Sequence, residues 1–128
     1  IAATVDELEV RGSAACRSMA RRLDAGCKAL LEVVDYVVRE GKGHPNAVFA
    51  GSVPYLMLAA TVVAGWQMAR ALLAAETRLA AGDEPAFMRA KIATARFYAE
   101  HILVKAGPWR DSIVEGAESV MALEPDAF

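Results

Sequence analysis

Apolar and polar positions recur with helical spacing through most of this chain, and in one central stretch the polar positions disappear. Between Val5 and about Glu40, apolar residues fall at Val5, Leu8, Ala15, Met19, Leu23, Cys27, Leu30, Val34 and Val37, in steps of three, four or seven. Opposite them Arg17, Arg21, Asp24, Lys28, Glu32, Asp35 and Arg39 form a polar stripe of the same period. The pattern predicts one amphipathic helix over residues 5–40, roughly 50 Å long, with Thr4 or Asp6 as its cap. Asp24 with Lys28, Lys28 with Glu32, and Asp35 with Arg39 are i,i+4 pairs, each contributing only ~0.3–0.5 kcal/mol but marking the wet face. Gly12 and Gly26 mark a close helix crossing or, at Gly12, a break.

From Asn46 to Ala69 twenty-four residues pass without a charge. A helix apolar on every side must be surrounded by protein or by lipid. Gly41 to Pro45 reads as the preceding turn, with Gly41 in the left-handed C-terminal position and Pro45 in the next first turn. The second helix is therefore placed at 45–80. Pro54 leaves two alternatives: a kink within one long helix, which is favoured, or a helix starting near Val53 under a Ser52 cap. Thr61, Gly65 and Ala69 form a small-residue row that offers a groove to a neighbouring helix. Gly82 to Pro85 is the second turn, with Asp83 capping. A third helix over 84–106 turns Met88, Ile92, Ala95, Ala99 and Ile102 inward and Arg89, Arg96 and Glu100 outward. Gly107-Pro108 then interrupts the path. A shorter helix over 108–123 directs Trp109, Ile113, Ala117 and Val120 inward, and Pro125 stops it. Trp66, Trp109 and Phe87 are anchors expected to be buried. The fold is all-α: an antiparallel bundle of three long helices and a shorter C-terminal one, residues 1–128 forming one domain.

Composition supports this and narrows the function. Hydrophobic residues make up 55% of the chain, and no alternating strand pattern occurs. Fourteen basic and sixteen acidic side chains give a net charge of −2, which supplies no general attraction for nucleic acid. The N-terminus carries Asp6, Glu7 and Glu9 rather than a basic signal region, and the start at Ile1 is read as a piece of something longer. Cys16 and Cys27 lie about 16 Å apart along one helix, too far to bond, and suit small buried thiols in a reducing cytoplasm. The uncharged stretch is long enough for a membrane span. Its Gly51, Ser52, Pro54, Thr61, Gly65 and Gln67, and three amphipathic neighbours, favour a bundle core instead.

Candidate chemistry is sparse. A di-iron bundle needs Glu-x-x-His pairs, and none occurs; His44 and His101 stand far apart, so no metal site is expected. No nucleophile elbow, Walker loop or dinucleotide fingerprint is present. The most distinctive polar-aromatic run is Lys91 to Tyr98. There Lys91 and Arg96, with Tyr98 beside them, are candidates for an anionic ligand or a partner contact.

Three stretches taken together carry a resemblance: GSVPYLMLAATVVAGWQMARALLAA from Gly51, AFMRAKIATARFYAEHIL from Ala86, and AGPWRDSIVEGAESVMALEPDAF from Ala106. They resemble the C-terminal extension of a subset of acyl-CoA dehydrogenases, the acetyl-CoA dehydrogenase C-terminal-like domain. Enzymes acting on methylmercaptopropionyl-CoA carry a similar one. The resemblance covers about residues 45–128, the first helix matching only in character. It implies a parent enzyme that oxidises acyl-CoA to 2,3-enoyl-CoA, a glutamate removing the α-proton while FAD accepts the β-hydride and an electron-transfer flavoprotein reoxidises it. It places the base and the flavin contacts in a catalytic core upstream, so no catalytic or cofactor residue is assigned here. The implied role is accessory: packing on that core, forming a homo-oligomer contact, or shaping the acyl-CoA entrance, in a cytoplasmic enzyme. The alternative is a stand-alone helical interaction module.

Overall fold

The computed structural model describes residues 1–123 and 125–127. Its helices are α1 (Ala2–Arg11), α2 (Ala14–Glu40), α3 (Pro45–Ala50), α4 (Ser52–Ala80), α5 (Pro85–Phe97), α6 (Ala106–Val114) and α7 (Ala117–Val120), and the described residues contain no strand. A π-helical turn over Tyr98–Ile102 and a 3₁₀ turn over Leu103–Lys105 join α5 to α6 without leaving helical backbone. Contacts fix the directions. Cys16 meets Glu76 and Gly26 approaches Val62, so α2 and α4 are antiparallel. Ser18 meets Glu100 and Glu32 meets Arg110, so the α5–α6 path returns parallel to α2. The all-α antiparallel bundle expected from the pattern is therefore the fold.

The single first helix is not. The chain reverses at Gly12, whose φ of 65° is left-handed and favours glycine. Ser13 then caps α2, its hydroxyl accepting from Cys16 N–H at 3.1 Å. Thr4 caps nothing: its hydroxyl accepts from Trp66 Nε1 at 2.9 Å, while Arg11 donates to Thr77 at 3.2 Å. Helix α1 thus lies alongside α4, parallel to it. Gly41 is right-handed rather than left-handed, and Asp83 accepts from Arg78 at 2.7 Å instead of capping α5.

Pro54 and Pro108 act elsewhere than expected. The break before α4 lies at Gly51, and Pro54 sits in the first turn of α4, where its missing N–H leaves no bond unmade. Ser52 does not cap; its hydroxyl donates to Phe49 C=O. Likewise Gly107-Pro108 does not interrupt the third path. Pro108 lies in the first turn of α6, and the change of register comes upstream over residues 98–105. A proline removes the hydrogen bond to the carbonyl four residues earlier and crowds it. Those carbonyls belong to Ala50 and Val104, where the helical ladder changes.

The core joins Leu8, Met19, Leu23 and Val33 to Leu58, Val62, Leu72, Leu103 and Ile113, all fully buried. The predicted small-residue row works as read at Gly65 and Ala69. Leu103 presses between α2 and α4: a Cβ on Gly65 would stand 3.0 Å from both its methyls, and one on Gly26 would stand 3.4 Å from Cδ1. The π turn carries Leu103 to that notch. Several assignments shift. The inward face of α2 runs through Gly26, Ala29, Val33 and Tyr36, leaving Val34 exposed. Val120 faces outward. Trp66 and Trp109 are half-buried against the core, while Phe87 is 53% exposed. Of the charged pairs, Asp24–Lys28 forms at 2.7 Å, whereas Glu32 turns to Arg110 and Arg39 to Glu40.

Helix α4 is covered on one side only. Leu58, Val62, Gly65, Ala69, Leu72 and Leu73 face the core. Val53 and Leu56 are 72% and 66% exposed, and 39% of the most apolar 18-residue stretch of the helix is buried. By length and composition α4 is also able to cross a membrane. The expectation of a rod wrapped by its own neighbours is therefore corrected. Its neighbours α1, α2, α5 and α6 cover the core side and flanks, and the outer side has no cover within the described residues.

Candidate functional site

Lys91, Arg96 and Tyr98 all lie on the α5–α6 path, but they do not converge. Lys91 faces α4, its Nζ 5.2 Å from the centre of the Phe87 ring, on a groove of about 290 Å³ shared with Met68, Ala71 and Thr94. Tyr98 points inward and donates to Thr61 C=O at 3.1 Å, satisfying a carbonyl of α4. Burial pushes its phenol up, away from ionisation. Arg96 faces α2 and donates from Nε to Glu100 at 2.8 Å.

Around Arg96 the structure assembles a cleft of about 400 Å³ with Arg17, Arg21, Ser18 and Glu100. Only part of its charge is paired, because one carboxylate faces three arginines. Glu100 accepts from Arg96 and from Ser18 at 3.2 Å, and those bonds hold its carboxyl below the ordinary range. Arg17 donates to Gly12 C=O at the α1–α2 reversal. Arg17 and Arg21 belong to the polar stripe that the pattern assigned to water, and pairing them with Arg96 required knowing that α2 and α5 run parallel.

A second cluster joins Ser13, Cys16 and Glu76. Ser13 donates to Glu76 Oε1 at 2.5 Å and Cys16 Sγ lies 3.4 Å from Oε2. Burial pushes the Cys16 thiol up, with Glu76 adding to the effect, so the group is a poor nucleophile and serves to tie α2 to α4. Both cysteines are free. A depression of about 500 Å³ at one end of the bundle, between α3 and α7, is lined by Gly43, His44, Pro45, Asn46, Ala47, Ala117, Glu118 and Met121. His44 there is engaged with Glu40 at 3.1 Å. Among the described residues no three His, Cys, Asp or Glu side chains come together as metal ligands.

FAD does not fit these surfaces. Its pyrophosphate requires free cationic groups or a run of backbone N–H donors beside a deep apolar slot for the ring. The arginine cleft offers Arg17 and Arg21 beside the paired Arg96 and Glu100, but Ala14 is its one apolar lining residue, so it holds no slot for the ring. The depression between α3 and α7 is lined by Glu118 and by no lysine or arginine.

The chain matches the family model described as "Acetyl-CoA dehydrogenase C-terminal like" over residues 1–124. A curated relative, the 3-methylmercaptopropionyl-CoA dehydrogenase of Ruegeria pomeroyi, is 38% identical over 121 residues. The alignment covers 94% of this chain and 20% of that protein, so the chain spans about a fifth of its relative's length. No solved structure matches the chain.

Proposed function

Because the chain belongs to the acetyl-CoA dehydrogenase C-terminal-like family, we propose that it is the accessory C-terminal helical domain of an FAD-dependent acyl-CoA dehydrogenase. In this reading the larger enzyme oxidises an acyl-CoA to the 2,3-enoyl-CoA, FAD taking up the hydride, and the 128 residues contribute structure rather than a reacting group. The observation that carries the reading is the family match over residues 1–124.

The chemistry of the four carboxylates in the helix-joining clusters supports it; Glu118, which lines the depression between α3 and α7, is not among them. A base for an α-proton must be free and must face a substrate cleft. Glu76 is engaged by Ser13 and Cys16, Glu100 by Arg96 and Ser18, and Glu32 and Glu115 by Arg110. These groups hold helices together.

The test is the product of the complete gene. It is expected to purify with bound flavin, to bleach on addition of an acyl-CoA, and to pass electrons to an electron-transfer flavoprotein. A complete gene that encodes no dehydrogenase body would overturn the reading.

A further inference from the structure

The uncovered side of α4 is a mainly apolar strip. Val53, Leu56, Ala60, Val63, Ala64 and Ala71 lie along it, all exposed, with the amide of Gln67 among them and Arg70 at its edge. The nearest cation, Arg70, is turned onto its own helix. It donates to Gln67 at 3.1 Å and lies 5.6 Å from the centre of the Trp66 ring. Helix α1 bounds one edge through Thr4–Trp66 and the π-helical turn after α5 the other through Tyr98–Thr61. A mainly apolar face of a few hundred Å² is of the size at which surface patches are often functional.

Area decides what covers it. From Val53 to Ala71 the strip runs about 27 Å, and a helix is about 10–12 Å wide, so each partner would bury roughly 300 Å². Two free copies would bury about 600 Å² in total, half of the ~1,200 Å² at which stable association begins. Interfaces between domains of one polypeptide begin at about 600 Å², because the tether supplies the effective concentration. The entry point agrees. Helix α1 flanks the strip and Thr4 is bonded to Trp66, midway along α4, so polypeptide preceding Ile1 would arrive at the edge of this face.

We propose that the outer face of α4 is the surface on which this domain docks onto the catalytic body of its own polypeptide. The inference rests on the function proposed above and names the face that performs it.

Photolysis of a diazirine label with the intact flavoenzyme tests it. Labelling of Val53, Leu56 and Val63 is expected to fall to the level of buried Leu58 and Val62 at every protein concentration, while Val10 and Val38 stay labelled. Ala60→Glu, a change on an exposed position, is expected to restore labelling along the strip with helical circular dichroism unchanged. A strip labelled as heavily as Val10 in the wild-type enzyme would overturn the proposal, as would continued protection in Ala60→Glu. Protection lost on dilution to the monomer would assign the face to a second copy. Protection arising only with phosphatidylcholine–phosphatidylglycerol vesicles would assign it to lipid, and either result overturns the proposal. Flavin content and acyl-CoA turnover are read on the same sample. An active flavoenzyme with a labelled strip rejects the docking face alone, and a flavin-free, inactive gene product rejects the functional reading.

Discussion

Leu103→Ala is expected to destabilise the bundle by about 3–5 kcal/mol, the upper part of the range for a buried leucine. Leu103 is 1% exposed and enters the notch between α2 and α4, where Gly26 and Gly65 supply no side chain to move into the vacated space. A cavity walled on two sides by helix backbone relaxes poorly, so the cost includes the void as well as the lost transfer free energy. At a urea dependence of about 1–3 kcal/mol per molar, the unfolding midpoint should fall by roughly 2 M. A shift below about 0.5 M would show that Leu103 is not the wedge between these helices.

The converse change tests the same contact from the other side. Gly65→Val is expected to cost about 1–3 kcal/mol by overpacking, even though valine is the better helix former. The new Cβ would stand 3.0 Å from both methyls of Leu103, closer than they tolerate, and its further methyls have no free direction on a buried face. Gly107 is the control. Nothing lies within 4 Å of a Cβ there, so Gly107→Ala should be neutral or stabilise by up to about 1 kcal/mol. Adding Leu103→Ala to Gly65→Val should cost less than the sum of the single changes by about 1–2 kcal/mol, since each relieves the other's fault. Strict additivity in denaturant unfolding would contradict the packing described.

The Gly65–Ala69 row shows what could be read without coordinates: small residues at i,i+4 on an apolar segment leave a groove, and a neighbour fills it. The breaks around Pro45 and Pro85 were read where they fall, with helices ending at Glu40 and Ala80 and restarting at the prolines, while those assigned to Pro54 and Pro108 were misplaced for one reason. Pro54 and Pro108 were read as acting where they stand, but a proline acts on the carbonyl four residues before it. In the structure α3 ends at Ala50, and the α register is lost over residues 98–105. Gly12 was noted as a point of rupture, but only its left-handed φ shows the chain turning back there to lay α1 on α4. In α4 the pattern carried no directional information. A segment apolar on every side looks the same whichever side is covered, so the exposed line through Leu56 and Val63 was invisible until α1 and α5 fixed the flanks.

The candidate ligand contacts were harder still. Lys91, Arg96 and Tyr98 are close in sequence, but a helix sends Arg96 toward α2 and the other two toward α4. Sequence proximity along a helix is a poor guide to a shared site, because only residues three or four apart lie on one face.

The claim on which all of this turns is that these helices are framework and that the flavin and the acyl-CoA react elsewhere. Titrating FAD with the purified, helical 128-residue chain, with and without an acyl-CoA, tests it most directly. Flavin fluorescence is expected to stay unquenched and flavin absorption unbleached throughout. Saturable quenching, followed by bleaching when acyl-CoA is added, would contradict the account.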